Sequence, residues 1–95
     1  YDARTGREKW RVDNSVKQPY DRIPVPVIAG DRVIISGGGG NGQFFAVKLG
    51  GEGELKPEWS VTRSIPYMPS PVEYKGLVYA INDNGNLRVY RATDG

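Results

Sequence analysis

Polar and apolar positions along this chain alternate in short bursts, and nothing repeats at helical spacing for long. Lys9-Trp10-Arg11-Val12 alternates in character, as a half-buried strand should. Arg32-Val33-Ile34-Ile35-Ser36 is β-branched and almost continuously apolar, the mark of a strand covered on both faces. The pattern predicts strands over 9–12, 26–29, 32–36, 43–49, 58–61, 71–74, 77–81 and 86–91. Glycine or proline interrupts nearly every window long enough for a helix, with 13 Gly and 7 Pro in 95 residues. Regular short strands of this kind build a sandwich, a barrel or a propeller.

An internal repeat decides among the three. Trp10-Arg11-Val12 returns as Trp59-Ser60-Val61, 49 residues on. Pro24-Val25-Pro26-Val27 returns as Pro69-Ser70-Pro71-Val72, and Arg32-Val33-Ile34 as Leu77-Val78-Tyr79, each 45 residues on. Asn41-Gly42-Gln43-Phe44 returns as Asn84-Gly85-Asn86-Leu87, 43 residues on. A period in the mid-forties with four strands per period is the signature of a propeller blade. Tyr1-Asp2-Ala3-Arg4-Thr5-Gly6 also matches Tyr90-Arg91-Ala92-Thr93-Asp94-Gly95 as Tyr-x-Ala-x-x-Gly, 89 residues apart, or two blades. With strands lettered A to D from the inner edge outward, the order reads end of C, D, then A-B-C-D, then A-B-C. The expected organisation is one two-blade unit: 1–15 as an outer D strand completing a neighbouring blade, 16–62 as a four-stranded antiparallel blade, and 63–95 as a blade with strands A to C.

Asp2-Ala3-Arg4-Thr5-Gly6-Arg7-Glu8-Lys9-Trp10 resembles the tryptophan-docking motif of quinoprotein-like propeller repeats, Asp-x-x-Thr-Gly-x-x-x-Trp. The run from Pro69 to Gly85 resembles the Ser-Pro-Val…Gly…Val-Tyr…Asn-Gly stretch of the same repeats. The second copy departs from the motif, with Lys48 at the Asp position and an insertion around Gly50-Gly51-Glu52-Gly53 before Trp59. In the third, Arg91 replaces the Asp and Asp94 the Thr. The resemblance implies a blade-to-blade girdle of Asp2, Thr5, Gly6, Trp10, Trp59 and Gly95. A Trp offers a flat apolar face, a Gly lets backbone approach it, and an Asp holds the turn. It also implies a periplasmic or secreted setting. Some members are calcium- and pyrroloquinoline-quinone-dependent dehydrogenases; others have no cofactor and serve as scaffolds, one of them in outer-membrane barrel assembly.

Composition narrows the chemistry. There is no Cys, which excludes disulfides, thiolate metal sites and covalent haem within this chain. There is no His, which removes the commonest general base and zinc ligand. The 13 basic and 11 acidic residues are interleaved, so no patch suits nucleic acid, and no apolar run suits a membrane.

Gly37-Gly38-Gly39-Gly40-Asn41-Gly42 contains a dinucleotide-loop pattern, but such a loop needs a helix N-terminus behind it. A strand follows here, so the segment reads as a hairpin loop. Asn82-Asp83-Asn84-Gly85 offers oxygens to a hard cation but lacks the distal Glu of a calcium loop, and Asn-Gly between strands is a turn signal. Glu52, Glu54 and Glu58 form the nearest carboxylate cluster, in an insertion far from a channel. Tyr20, Tyr67 and Met68, just ahead of A strands, are the candidate ligand contacts at a channel rim.

The reading is therefore an all-β, non-catalytic propeller module with no cofactor and no metal, a scaffold for protein contacts. A ligand- or glycan-binding propeller and a remnant of a quinoprotein dehydrogenase are the alternatives. Two blades cannot close a ring, so the expected partner is the chain itself, head to tail. A tetramer of eight blades is favoured over a trimer of six; the other possibility is the remaining blades of a longer chain.

Overall fold

The computed structural model describes residues 1–13, 24–37 and 42–95. The described residues form nine strands and no helix. They are β1 (Trp10–Val12), β2 (Val27–Ala29), β3 (Arg32–Gly37), β4 (Gln43–Lys48), β5 (Gly53–Leu55), β6 (Trp59–Val61), β7 (Val72–Tyr74), β8 (Leu77–Ile81) and β9 (Leu87–Arg91). Eight coincide with the strands that patterning predicts. The ninth, β5, falls where an insertion was expected.

Strands β2-β3-β4-β6 form a four-stranded antiparallel sheet, and β7-β8-β9 a three-stranded one. The two sheets repeat each other: Val27 faces Ile34 in the first as Val72 faces Tyr79 in the second, and Arg32 faces Lys48 as Leu77 faces Arg91. β1 and β5 pair in parallel, Trp10 opposite Gly53.

The turns follow from their residues. Lys75 and Gly76 both have positive φ, 51° and 79°, the backbone of a tight two-residue hairpin whose twist matches its strands. In the β8–β9 hairpin the Asn82 side chain accepts from the amides of Asn84 (3.1 Å) and Asn86 (2.9 Å), so its oxygen holds the turn. Gly37 pairs with Gln43 across antiparallel strands, so the glycine-rich loop joins two strands and no helix stands behind it.

The four-stranded sheet buries both faces, as the apolar run at 32–36 requires. On one face Ile34, Phe44 and Ala46 pack against Val78, Ala80 and Tyr90 of the three-stranded sheet. On the other, Val33, Phe45 and Val47 are covered by Trp10, Val12 and Leu55. β5 thus shields an apolar face that β1 alone would leave half open. At one end of the sheet Arg32 binds Glu58 at 2.6 Å and also Asp31, tying the first residue of β3 to the residue before β6.

The Tyr90 hydroxyl is buried with no hydrogen-bond partner among the described residues. An orphaned polar group of this kind costs roughly 1–3 kcal/mol. Tyr90→Phe should therefore leave stability unchanged or raise it by about 1 kcal/mol. Phe44→Ala, on the same face, should lower it by about 3–5 kcal/mol. Chemical denaturation of both variants checks the pair, and a marked loss in Tyr90→Phe would mean the hydroxyl has a partner.

Candidate functional site: an indole dock between two sheets

The most organised cluster of side chains lies where β6 meets the end of β9. Trp59 stacks on Tyr90 with ring centroids 6.3 Å apart and planes 14° from parallel. Phe44 closes the cluster, 5.1 Å from Tyr90 and 5.8 Å from Trp59. Aromatic pairs at such distances contribute about 0.5–1.5 kcal/mol beyond their buried area. The Trp59 Nε1–H donates to the Ala92 carbonyl at 3.0 Å, so the polar end of the indole is satisfied.

Gly95 lies directly against the indole. A Cβ built there would stand 2.9 Å from Trp59 Cδ2, and the backbone sits at φ +71°. Only glycine meets both conditions without strain. The turn is closed by the Gly95 amide donating to the Arg91 carbonyl at 2.9 Å.

The turn at Asp2–Gly6 has the same form. Gly6 has φ +69°, and its amide donates to the Asp2 carbonyl at 2.9 Å. Asp2 Oδ1 also accepts from the amides of Arg4 (2.9 Å) and Thr5 (3.0 Å), and Thr5 Oγ1 from the amide of Arg7 (3.4 Å). A Cβ on Gly6 would meet nothing within 4 Å, so this turn carries no indole. Trp10 lies instead on the Val33–Phe45–Val47 cluster of the next sheet, held at Gly53, whose amide donates to the Lys9 carbonyl at 3.0 Å. Both tryptophans therefore dock one sheet further along the chain, each beside a glycine.

The remaining candidates separate. Tyr67 and Met68 stay together: their amides donate to the two carboxylate oxygens of Asp83, at 3.0 and 3.2 Å. Tyr67 is half-buried and Met68 exposed. Tyr20 lies outside the described residues. Glu58 is engaged by Arg32, while Glu52 borders an open cleft of about 470 Å³ with Asp2, Thr5 and Lys9. Among the described residues no group of three or more Asp or Glu is arranged to hold a metal, and no helix is long and apolar enough to cross a membrane. Patterning missed two ties between the sheets: Ser36 Oγ donates to the Pro66 carbonyl at 2.6 Å, and Ser70 Oγ accepts from the Val25 amide at 2.9 Å. Only the second had a signal, since Val25 and Ser70 hold the same place in the repeated Pro-x-Pro.

No protein-family model matches the chain, and no curated protein matches it.

The two glycines offer a controlled comparison. Both have positive φ, so alanine is strained at either one by about 1–2 kcal/mol. Only at Gly95 must the indole also move, adding about 1–3 kcal/mol. Gly95→Ala should thus lower the melting temperature clearly more than Gly6→Ala; equal losses would show that the indole contact is worth nothing.

Asp2 has a lowered pKa, first through the Arg4 amide and then through the Thr5 amide. Its stabilisation of the turn is complete above the ordinary carboxylate value and is lost as pH falls through the lowered native value. The amide NMR shifts of Arg4 and Thr5 should report that transition, and a midpoint at or above the ordinary value would contradict it.

Proposed function

We propose that this chain is a pair of propeller blades of the quinoprotein-like repeat type, and that it is a non-catalytic scaffold whose work is to assemble. Sheets stack face to face through an indole docked on the next sheet, and further copies of the chain continue that stacking into a ring.

The observation that supports this reading most directly is an open face. Every outward position of the three-stranded sheet is apolar except Arg91: Val72 and Tyr74 on β7, Leu77, Tyr79 and Ile81 on β8, Leu87 and Val89 on β9. Val72, Tyr74 and Leu87 are each about 60% exposed (61%, 59% and 60%). Among the described residues β9 is also an edge strand, with unpaired backbone groups. A soluble protein covers a continuous apolar patch of this kind with a partner. At the other end of the stack, β1 is an edge strand carrying Trp10, and Ile28 on β2 is 57% exposed. The two ends present different surfaces, so the contact is head to tail and generates a closed ring when the rotation divides a full turn. Four copies give eight blades and three give six.

Light scattering behind a sizing column tests the reading. A discrete tetramer or trimer is expected, and a monomer across the accessible concentration range would overturn it. Trp10→Ala should cost about 3–5 kcal/mol per chain and dissociate the ring. A variant that keeps both mass and melting temperature would remove Trp10 from the interface.

A further inference from the structure

The four-stranded sheet is a template for what covers the three-stranded one. In the former, β6 lies antiparallel on β4 with Trp59 opposite Ala46, Ser60 opposite Phe45 and Val61 opposite Phe44. Ladder positions equate Ala46, Phe45 and Phe44 with Val89, Arg88 and Leu87 of β9, because Ser36–Phe44 corresponds to Ile81–Leu87. The sequence equates Trp59-Ser60-Val61 with Trp10-Arg11-Val12 of β1.

We infer that β1 of a second copy of this chain adds antiparallel to the free edge of β9 in one register: Trp10 opposite Val89, Arg11 opposite Arg88 and Val12 opposite Leu87. The inference rests on the head-to-tail reading above and specifies its contact. Residues directly opposed in an antiparallel pair share a face. Trp10 and Val12 therefore extend the open apolar face, which continues the stacking already made by Trp59 and Val61. A slip by one residue would turn Trp10 to the other side, so the apolar pattern selects against it.

In this register Arg11 faces Arg88, a like-charged pair relieved in part by Glu8, which is ion-paired with Arg11 at 3.5 Å.

The chain has no Cys, so a designed pair of thiols reports a single contact. Arg11 and Arg88 are both exposed in the chain, and their replacement leaves its core intact. Opposed residues have Cβ atoms about 4.5–5.5 Å apart, near disulfide range, whereas a two-residue slip moves them to about 7–8 Å. The double variant Arg11→Cys with Arg88→Cys, oxidised with glutathione disulfide, should form intermolecular crosslinks at least about tenfold faster than Arg11→Cys with Asn86→Cys. Equal rates, or faster linkage of the Asn86 pair, in a protein that light scattering finds oligomeric would overturn the register and leave the assembly standing. A monomeric protein would overturn both.

Arg88→Glu gives a second measurement that needs no disulfide. It replaces a like-charged cross-strand pair by an opposite one and should tighten association about threefold. Weaker association would overturn the register.

Discussion

The contact between the Trp59 ring and the backbone of Ala92–Gly95 holds the two larger sheets together. It joins two sheets that have no strand pairing with each other. A flat indole fills the gap left where two twisted sheets meet at their outer strands, and its Nε1–H finds a carbonyl there. The glycine is fixed by geometry twice over, by positive φ and by the closeness of the ring. Tyr90 and Phe44 complete the packing, at the expense of one hydroxyl with no partner among the described residues. Trp59 thereby closes one face of the four-stranded sheet, and Trp10 closes the other.

Much of this was legible in the sequence. Strand positions followed from local alternation and from β-branched runs, because a strand's faces are set by a two-residue period. The repeat of Trp10-Arg11-Val12 at Trp59-Ser60-Val61 identified corresponding strands, and Tyr-x-Ala-x-x-Gly identified two turns that adopt the same hydrogen bonding. What could not be read was determined by contacts remote in sequence. Gly53-Glu54-Leu55 has poor strand propensity and becomes β5 only because β1 lies beside it. Asp83 looked like part of a turn, yet its carboxylate orders the Tyr67 and Met68 amides from another segment. Nothing local marks either role. Tyr90 had a signal in the repeated Tyr, but its place beneath Trp59 depends on how two sheets stack.

The same asymmetry shapes the proposed function. The chain satisfies one apolar face with its own residues and leaves the corresponding face of the next sheet open. That face is the right chemistry for one more sheet of the same kind, and β1 has the side chains that β6 uses. Assembly is thus proposed as an extension of the fold's internal packing, requiring no separate binding site. Three carboxylates serve the fold itself: Glu58 binds Arg32, Asp2 orders its turn and Asp83 orders a loop.

Hydrogen exchange along β9 distinguishes a paired edge from an open one. If a second copy pairs with this edge, the amides of Leu87–Arg91 that point away from β8 should be protected at high protein concentration and lose that protection on dilution below the association range. Fast exchange of those amides at every concentration would mean that the edge stays open, and would contradict the proposed assembly.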